Sequence, residues 1–341
     1  MRNGEVVGSG WHRQVGGPHA EVEALREAGD RARGATLFVT LEPCSHHGRT
    51  PPCADAVIAA GIAHVVACHG DPNPKVAGQG FARLRAAGIE VESGFLVEDA
   101  VRLNLPFLIA NVLGRPEVTL KWAMSLDGRI ATATGQSQWI SSPEARQWAL
   151  ALREEHDAIL VGSGTLLTDD PRLDRRLGLA PGPNVRVVLD RRLRTPPEAR
   201  LLTIEGPVVI YTQSADRERI EALRERGAEV MNLPDVDPGA VIADLHQRGV
   251  QSLLVEGGGE VLASFVASGL YDRVMVDCAP LLIGGRNAPG PLAGEGFAEL
   301  AAAARLEGLQ TRKKGGDLIV TLYRQGCVEG LVAAVQSVTQ T

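Results

Sequence analysis

The chain has 341 residues, a formal net charge of −6 and a hydrophobic fraction of 44%. This length suits two domains better than one, and the hydrophobic fraction allows each domain a core. The acidic balance and the aromatic content of 4% argue against nucleic-acid binding. No apolar run is long enough for a membrane span. The five scattered cysteines predict reduced thiols in a cytoplasm rather than a disulfide framework.

The first part of the chain predicts strands and helices in alternation. Residues 3–12 are expected to form a strand, and a helix over residues 19–29 has apolar side chains at helical spacing and a closing glycine. Further elements are expected at residues 35–43 (strand), 53–61 (helix), 64–70 (strand) and 80–94 (helix, then strand). This alternation predicts a three-layer α/β domain.

A turn-rich Gly-Arg-Pro sequence at residues 114–116 marks the expected domain boundary. We therefore predict domains at residues 1–113 and 116–325 and a C-terminal tail at residues 326–341. The second domain is also expected to be α/β. Its clearest helix starts after Ser141 or Ser142. Its strands are expected at residues 118–128, 157–162, 185–190, 208–212, 228–233, 252–258, 272–280 and 316–324.

Four residues of the first domain form a pattern typical of zinc-dependent hydrolytic deaminases. His19 and Glu21 stand at a helix start, Cys44 ends a strand, and Cys53 begins the next helix. Three protein ligands leave one zinc position for water, and a carboxylate that is not a ligand can move protons. At a helix N-terminus, Cys53 is expected to have a lowered pKa. Each residue alone is more often a cap, a charge that complements the helix dipole or core filling, but the combination favours the site.

Two glycine-containing loops in the second domain follow strands and precede helices. One contains Gly257, Gly258 and Gly259, and the other spans residues 161–171. Backbone N–H groups at such a helix start can approach a phosphate. Neither loop is a G-x-G-x-x-G fingerprint, and a glycine-rich turn is more often only a tight turn. Two such loops in one α/β domain nevertheless favour a dinucleotide.

Several segments together resemble the bifunctional riboflavin-biosynthesis deaminase/reductases, the RibD/RibG family. They are PHAEVEAL, TLEPCSHHGRTPPC, DPNPKVAGQG, KWAMSLDGRIA, GQSQWIS, TDDPRL and VEGGGEVLASF. The eight residues between Cys44 and Cys53 are characteristic of that family. The resemblance extends to about Arg324. It implies a cytidine-deaminase-like first domain and a dihydrofolate-reductase-like second domain.

The resemblance also implies roles for individual residues. In the first domain His19, Cys44 and Cys53 would bind one Zn²⁺ and Glu21 would shuttle protons. The substrate contacts there would be His46 and Arg49. In the second domain the NADPH-binding places correspond to Ala123, Trp139, Thr165, Asp169, Gly258, Gly259, Glu260, Val261, Leu262, Ala263 and Ser264. The substrate places there correspond to Ser137, Arg153, Leu173, Arg176 and Glu256, and Lys121 is expected to face the reacting sugar or to be an exposed edge-strand lysine.

One cofactor place departs from the family pattern. Where the family commonly has serine, this chain has Arg191, followed by Arg192. An arginine at this strand end could pair with the 2′-phosphate of NADPH. The alternative, two solvated arginines, is equally open.

The implied reactions start from 2,5-diamino-6-(5-phosphoribosylamino)pyrimidin-4(3H)-one. Hydrolytic deamination is followed by NADPH-dependent reduction of the ribosyl group, which gives 5-amino-6-(5-phosphoribitylamino)uracil. The expected partner is thus a small phosphorylated pyrimidine, with no nucleic acid or membrane, and the expected assembly is a cytoplasmic homo-oligomer. Relative to the family the deaminase half is expected to be N-terminally short. A reductase with an inactive deaminase domain therefore stays open, as does a non-catalytic zinc-stabilised binding module.

Overall fold

The computed structural model describes residues 1–14, 16–48 and 50–339. The chain forms two compact units. The first combines Met1–Leu113 with the chain from Val328 on, and the second is Gly114–Cys327. Within the described ranges, no helix has both the length and the apolar character that a bilayer crossing requires.

The first unit is built on a small parallel sheet. Its elements are α1 (Ala20–Ala28), β1 (Thr36–Val39), α2 (Cys53–Ala59), β2 (His64–Ala67), α3 (Gln79–Ala86), β3 (Glu90–Ser93), α4 (Val97–Leu103) and α5 (Leu105–Leu113), with a short 3₁₀ helix at Gly29–Ala32. The sheet order is β1-β2-β3. Leu37 and Val65 of the sheet belong to one buried apolar cluster with Val57 of α2 and Leu84 of α3. This core fixes the starts of α1 and α2, next to which His19 and Cys53 lie.

Residues 3–12 do not form the predicted strand. The backbone pairing there is limited to an isolated bridge between Arg2 and Glu5. Gly8 and Gly10 lie so close to α1 that a Cβ atom on either would be 2.4 Å from a helix carbonyl oxygen. The segment packs against a helix at a distance that only glycine permits, and this close approach replaces pairing in a sheet.

The second unit is larger and starts with the strand that becomes central to its sheet. Its elements are β4 (Glu117–Ser125), α6 (Pro143–Glu154), β5 (Ala158–Gly162), α7 (Ser163–Asp169), β6 (Val185–Leu189), β7 (Val208–Thr212), α8 (Arg217–Glu225), β8 (Ala228–Asn232), α9 (Pro238–Gln247), β9 (Ser252–Glu256), α10 (Gly259–Ser268), β10 (Arg273–Ala279), β11 (Leu306–Lys314) and β12 (Asp317–Arg324). Short 3₁₀ helices lie at Arg200–Thr203 and Leu300–Ala302.

The strand order of this sheet is β11-β12-β10-β4-β9-β5-β6-β7-β8. Strands β4 to β10 run parallel, and β12 pairs antiparallel with β10 and β11. Two separate apolar clusters include alternate residues of the same strands, for example Leu160 in one and Ile159 in the other. The sheet is therefore covered on both faces, which explains its continuous apolar runs.

Helix α6 starts as the sequence predicts. The Ser142 hydroxyl accepts a hydrogen bond from the backbone N–H of Ala145 at 3.3 Å, and Pro143 occupies the first turn.

The end of the chain forms a final helix, α11 (Cys327–Thr339), in the region expected to be a tail. Leu331 and Val335 on it are buried.

Candidate active sites

Three side chains of the first unit converge as a zinc site requires. The Nδ1 atom of His19 lies 3.2 Å from Sγ of Cys53 and 3.6 Å from Sγ of Cys44. The three donor atoms lie within 4.8 Å of one another. Tetrahedral zinc with Zn–S and Zn–N bonds of about 2.3 and 2.0 Å places nitrogen and sulfur ligands about 3.6 Å apart. The donor set and its spacing thus fit zinc.

Local structure positions each of these side chains. His19 is the residue before the first turn of α1, and Cys53 opens α2. The backbone N–H of Cys53 donates to Sγ of Cys44 at 3.3 Å, and the N–H of Ala54 donates to the Cys44 carbonyl at 3.1 Å. The start of α2 therefore fixes Cys44 as well as Cys53.

The thiols and the carboxyl group at this site have shifted pKa values. The hydrogen bond with Cys53 lowers the pKa of Cys44, and the same contact, with burial, raises that of Cys53. The lowered pKa expected for Cys53 is therefore wrong, and the lowered thiol pKa is found on Cys44 instead. Its main cause is the contact with the Cys53 side chain, and the backbone N–H of Cys53 adds to it. Burial raises the pKa of Glu21, whose side chain also contacts Cys53. Glu21 is thus suited to hold a proton beside the donor set.

A cavity of about 350 Å³ is lined by His19 and Cys44 of the donor set. His46 lines it, as the sequence predicts, whereas Arg49 falls outside the described residues. His12 also lines it and was missed from the sequence. Its ring lies edge-on to that of His19, with 5.4 Å between ring centres, and its Nδ1 is 3.0 Å from the Pro18 carbonyl oxygen. The cavity therefore has two imidazoles beside the candidate metal-binding side chains.

Glu42, two residues before Cys44, organises the neighbouring loop. Its carboxylate is buried and accepts four backbone N–H groups, from Asp71 and Gly78 on Oε2 and from Gly80 and Phe81 on Oε1, at 2.8 to 3.2 Å. The loop contains the DPNPKVAGQG segment. Glu42 thus holds that segment next to the loop that carries Cys44, which lies beyond the end of β1 at Val39 rather than at the strand end predicted from the sequence.

The second unit has its own cavity, of about 450 Å³, at the carboxyl ends of its central strands. Predicted residues that line it are Lys121, Ala123, Ser137, Arg153, Thr165, Asp169, Leu173, Glu256 and Gly258. They come from strands, helices and loops far apart in sequence. Parallel strands bring their carboxyl ends to one edge, which is where α/β sheets bind ligands.

Inside this cavity a buried ion pair joins α6 to β9. Arg153 donates to Glu256 through Nε at 3.2 Å and through Nη2 at 2.6 Å. Both side chains are about one-eighth exposed, at 13% and 12%. Lys121 of β4 lies directly beside Glu256 in the strand register. Glu256 is therefore flanked by two cations, and its pKa is lowered because Arg153 and Lys121 outweigh the cost of burial.

Other predicted residues lie outside the lining of this cavity. Trp139 is 68% exposed, with the guanidinium of Arg146 stacked 4.6 Å from its ring centre. Arg176 pairs with Asp174 at 3.8 Å, and Arg191 is exposed. Glu260, Val261, Leu262, Ala263 and Ser264 belong to α10 and are likewise absent from the lining.

Glu154 repeats in this unit what Glu42 does in the first. Its carboxylate accepts the backbone N–H groups of Arg176, Leu177, Leu179 and Ala180 at 2.8 to 3.1 Å. Although burial alone would raise the pKa of Glu154, these four donors lower it. The loop that carries Arg176 is thereby held against α6.

The glycine-containing loops of this unit fit a phosphate-bearing cofactor. The N–H of Gly258 is held by the Thr165 hydroxyl at 3.0 Å, so the two loops meet. A Cβ atom at Gly164 would contact nothing within 4 Å, which leaves open space beside that backbone. Gly258 and Gly164 both line the cavity. The backbone at Gly164 is thus accessible to an anionic group, whereas the N–H of Gly258 is already used by Thr165.

Comparison with known proteins identifies both units. Residues 116–320 match the RibD C-terminal domain, and residues 1–69 match the cytidine and deoxycytidylate deaminase zinc-binding region. The riboflavin biosynthesis protein RibD of Aquifex aeolicus is 42% identical over 95% of this chain and 90% of its own length. That of Escherichia coli is 41% identical over 94% and 91%.

Solved structures give the same result. Acinetobacter baumannii RibD superposes with a TM-score of 0.84 at 36% identity, covering 95% of this chain and 90% of its own. A Thermotoga maritima diaminohydroxyphosphoribosylaminopyrimidine deaminase/5-amino-6-(5-phosphoribosylamino)uracil reductase superposes with a TM-score of 0.81 at 32% identity, with the same coverage. The chain therefore belongs to the RibD family of bifunctional riboflavin-biosynthesis enzymes, which combine a zinc-dependent deaminase with an NADPH-dependent reductase.

Proposed function

We propose that the first unit deaminates 2,5-diamino-6-(5-phosphoribosylamino)pyrimidin-4(3H)-one and that the second reduces the ribosyl group of the product to ribityl. The observation that carries the first step is the convergence of His19, Cys44 and Cys53 beside the buried Glu21. The second step is supported by the cavity that contains Lys121 and the glycine loops.

In the deaminase site, His19, Cys44 and Cys53 would hold zinc, which when bound supplies Lewis acidity toward a water molecule. Glu21 is not needed as a ligand, so its carboxyl group is free to take the proton of that water and to give one to the leaving amine. His46 and His12 line the cavity and would orient the pyrimidine. Arg49 is proposed to contact the substrate phosphate, to which a guanidinium is suited.

In the reductase site, NADPH would supply the hydride that reduces the ribosyl carbon. Lys121 is the cation positioned to donate a proton to the sugar oxygen as the ring opens, and Glu256 lies beside it in the strand register. Arg153 is already neutralised by Glu256. We therefore assign Arg153 to positioning Glu256 and propose that Arg176, 42% exposed, is the arginine that reaches a phosphate.

The experiment that tests this function incubates the purified protein with the diaminopyrimidinone substrate, with and without NADPH. Ammonia release without NADPH, and ribityl product only with NADPH, are the expected results. A zinc chelator should stop ammonia release and spare reduction of the already deaminated compound. Reduction of that compound without any ammonia release from the first substrate would instead indicate a reductase with an inactive deaminase unit.

We also propose a cytoplasmic homo-oligomer. Strand β11 is the edge of the large sheet, and residues 308–313 on it are exposed. An open edge of this kind can pair with another copy of the chain. Light scattering of the purified protein measures the mass directly, and a monomer at micromolar concentration would contradict the proposal.

A further inference from the structure

Two buried carboxyl groups lie side by side near the reductase cavity. Asp277 of β10 and Asp317 at the start of β12 are each 2% exposed. Their strands are antiparallel neighbours, with Cys278 opposite Leu318. The Asp277 carboxyl is in contact with that of Asp317, and its Oδ1 atom has no hydrogen-bond partner within the described part of the chain. Neither residue lines the cavity.

The surroundings of this pair contain two lysines as well as further acidic groups. Lys121 on β4 acts on Asp277, and Lys314 of β11 stands opposite Asp317 in the strand register. Cys278, the next residue of β10, adds a thiol whose pKa is raised mainly by burial. On the other side, Glu144 of α6 lies against Gly315 in the β11–β12 turn and adds negative charge. Buried carboxyl groups in contact cannot both ionise without strong repulsion, so such a pair retains a proton. Consistent with this, the pKa of Asp277 is raised, mainly by burial. The hydrogen bond with Ser141 opposes that rise, and the charge of Asp317 adds to it.

The Asp277–Asp317 pair holds the C-terminal end of the loop between β4 and α6. Asp317 accepts the backbone N–H of Ser142 through Oδ2 at 2.7 Å, and the Asp277 carboxyl contacts the Ser141 side chain. The Ser142 hydroxyl also donates to the Lys314 carbonyl at 3.2 Å. Both serines are thus hydrogen-bonded to residues of the sheet.

The same loop forms part of the cavity wall. Gly135 and Ser137 line the cavity, and the Gln138 side chain contacts Asp169, another lining residue. Ser137 is five residues from Ser142. A shift of the held end would therefore move Ser137 relative to the substrate.

We propose that Asp277 and Asp317 are positioning residues of the reductase: a pair that shares one proton, fastens Ser141 and Ser142 to the sheet, and so sets Ser137 at the cavity. This inference rests on the proposed reductase function. When a rise in pH removes the shared proton, the two carboxylates repel each other and the loop end loosens. The raised pKa of Asp277 means that the holding interaction is present at low pH and is lost as pH rises through that pKa.

The test measures KM and kcat for NADPH-dependent reduction of the deaminated substrate in the full chain. Asp317→Ala should raise KM for the pyrimidine by about tenfold, because the loop end loses its anchor. Asp317→Asn, which can still accept the Ser142 N–H, should restore most of the loss. The matched control is Asp237→Ala, which removes the cap of α9, away from the cavity lining. It should lower thermal stability without changing KM.

The pH profile separates positioning from a merely structural role. Over about pH 5 to about pH 9, KM of the wild type should climb with pH, and Asp277→Asn, which cannot ionise, should flatten that climb. A profile of Asp277→Asn that coincides with that of the wild type would overturn the proposal, even if Asp317→Ala fails to fold. A wild-type protein that does not reduce the compound at all would refute the proposed function instead.

Discussion

The two sites of this chain are assembled in opposite ways. The proposed zinc ligands His19, Cys44 and Cys53 span 34 residues of sequence and meet where a loop passes the starts of two helices. The reductase cavity takes its lining from Lys121 to Pro289, from three adjacent parallel strands and the loops beyond them. The first is a local motif and the second is a product of sheet topology.

One device is nevertheless common to both units. Glu42 and Glu154 are buried carboxylates, and each accepts four backbone N–H groups from a loop beside a site. A carboxylate has enough acceptor positions for four donors, and a loop held in this way needs no regular secondary structure. The comparison indicates that the loops are shaped by one anion each, whatever the chemistry nearby.

The largest effect is expected from Glu21→Gln, which would show that the two sites work independently. Ammonia release should fall by about 10²–10⁴-fold, because glutamine cannot transfer the protons. Reduction of the deaminated compound should be unchanged, and zinc content should remain at one per chain. Cys53→Ser is the matched control, since it should lose zinc and ammonia release together. Residual deamination near the wild-type rate in Glu21→Gln would remove this residue from the mechanism.

Arg153→Met should damage only the reductase. It removes the hydrogen-bonded partner of the buried Glu256 and leaves only the neighbouring Lys121 to offset its charge, and breaking a buried pair in this way costs at most about 3–5 kcal/mol. The reductase kcat/KM should fall by about 100-fold as Glu256 moves, while ammonia release persists. The Arg153→Met/Glu256→Leu double variant should recover part of the lost free energy of unfolding, which chemical denaturation measures. If the double variant is less stable than Arg153→Met, the pair does not act as a unit.

The shared device predicts a symmetric result for Glu42→Gln and Glu154→Gln. Glutamine keeps one acceptor oxygen and turns an N–H₂ group toward the other donors, so each should lose about 1–3 kcal/mol of stability. Glu42→Gln should raise KM for deamination alone, and Glu154→Gln should raise KM for reduction alone. Either variant that impairs both reactions equally would mean that its loop is not specific to one site.

The smallest effect concerns stability and leaves both reactions intact at neutral pH. Burial, and then the Arg273 charge, lower the pKa of His156 to about 4. The stabilisation from this neutral histidine is fully present above about pH 6.5 and is lost as pH falls toward 4, by at most about 3 kcal/mol. The raised pKa of the nearby Glu117 acts in the opposite direction. The free energy of unfolding, measured by denaturation across this range, should therefore depend less steeply on pH in His156→Gln than in the wild type. Equal slopes would contradict this prediction.

The family, the two α/β domains, both enzyme activities, zinc and NADPH were all predicted from the sequence and are confirmed. The residue roles, the domain limits and the assembly remain predictions. The zinc motif could be predicted because two of its proposed ligands, His19 and Cys53, stand at predictable helix starts. Nothing periodic marks the Arg153–Glu256 pair, which depends on how α6 packs on β9.

Residues without a local sequence pattern, such as His12 and Glu42, were not predicted from the sequence. His12 lies in a segment predicted to be a strand, where its side chain had no reason to face a cavity. Glu42 was not predicted either, although it stands directly before Pro43 and Cys44. Its four donors come from 29 to 39 residues away, and no local pattern contains that information.

The grouping of the chain from Val328 on with the first unit has a practical consequence for protein engineering. The second unit is, in topological terms, an insertion: the chain leaves the first unit at Leu113, folds Gly114–Cys327, and returns. A deaminase fragment cut after Leu113 would lack α11 with its buried Leu331 and Val335. Separate expression of the two activities would therefore be better served by excising residues 114–327 and keeping the chain from Val328 on with residues 1–113.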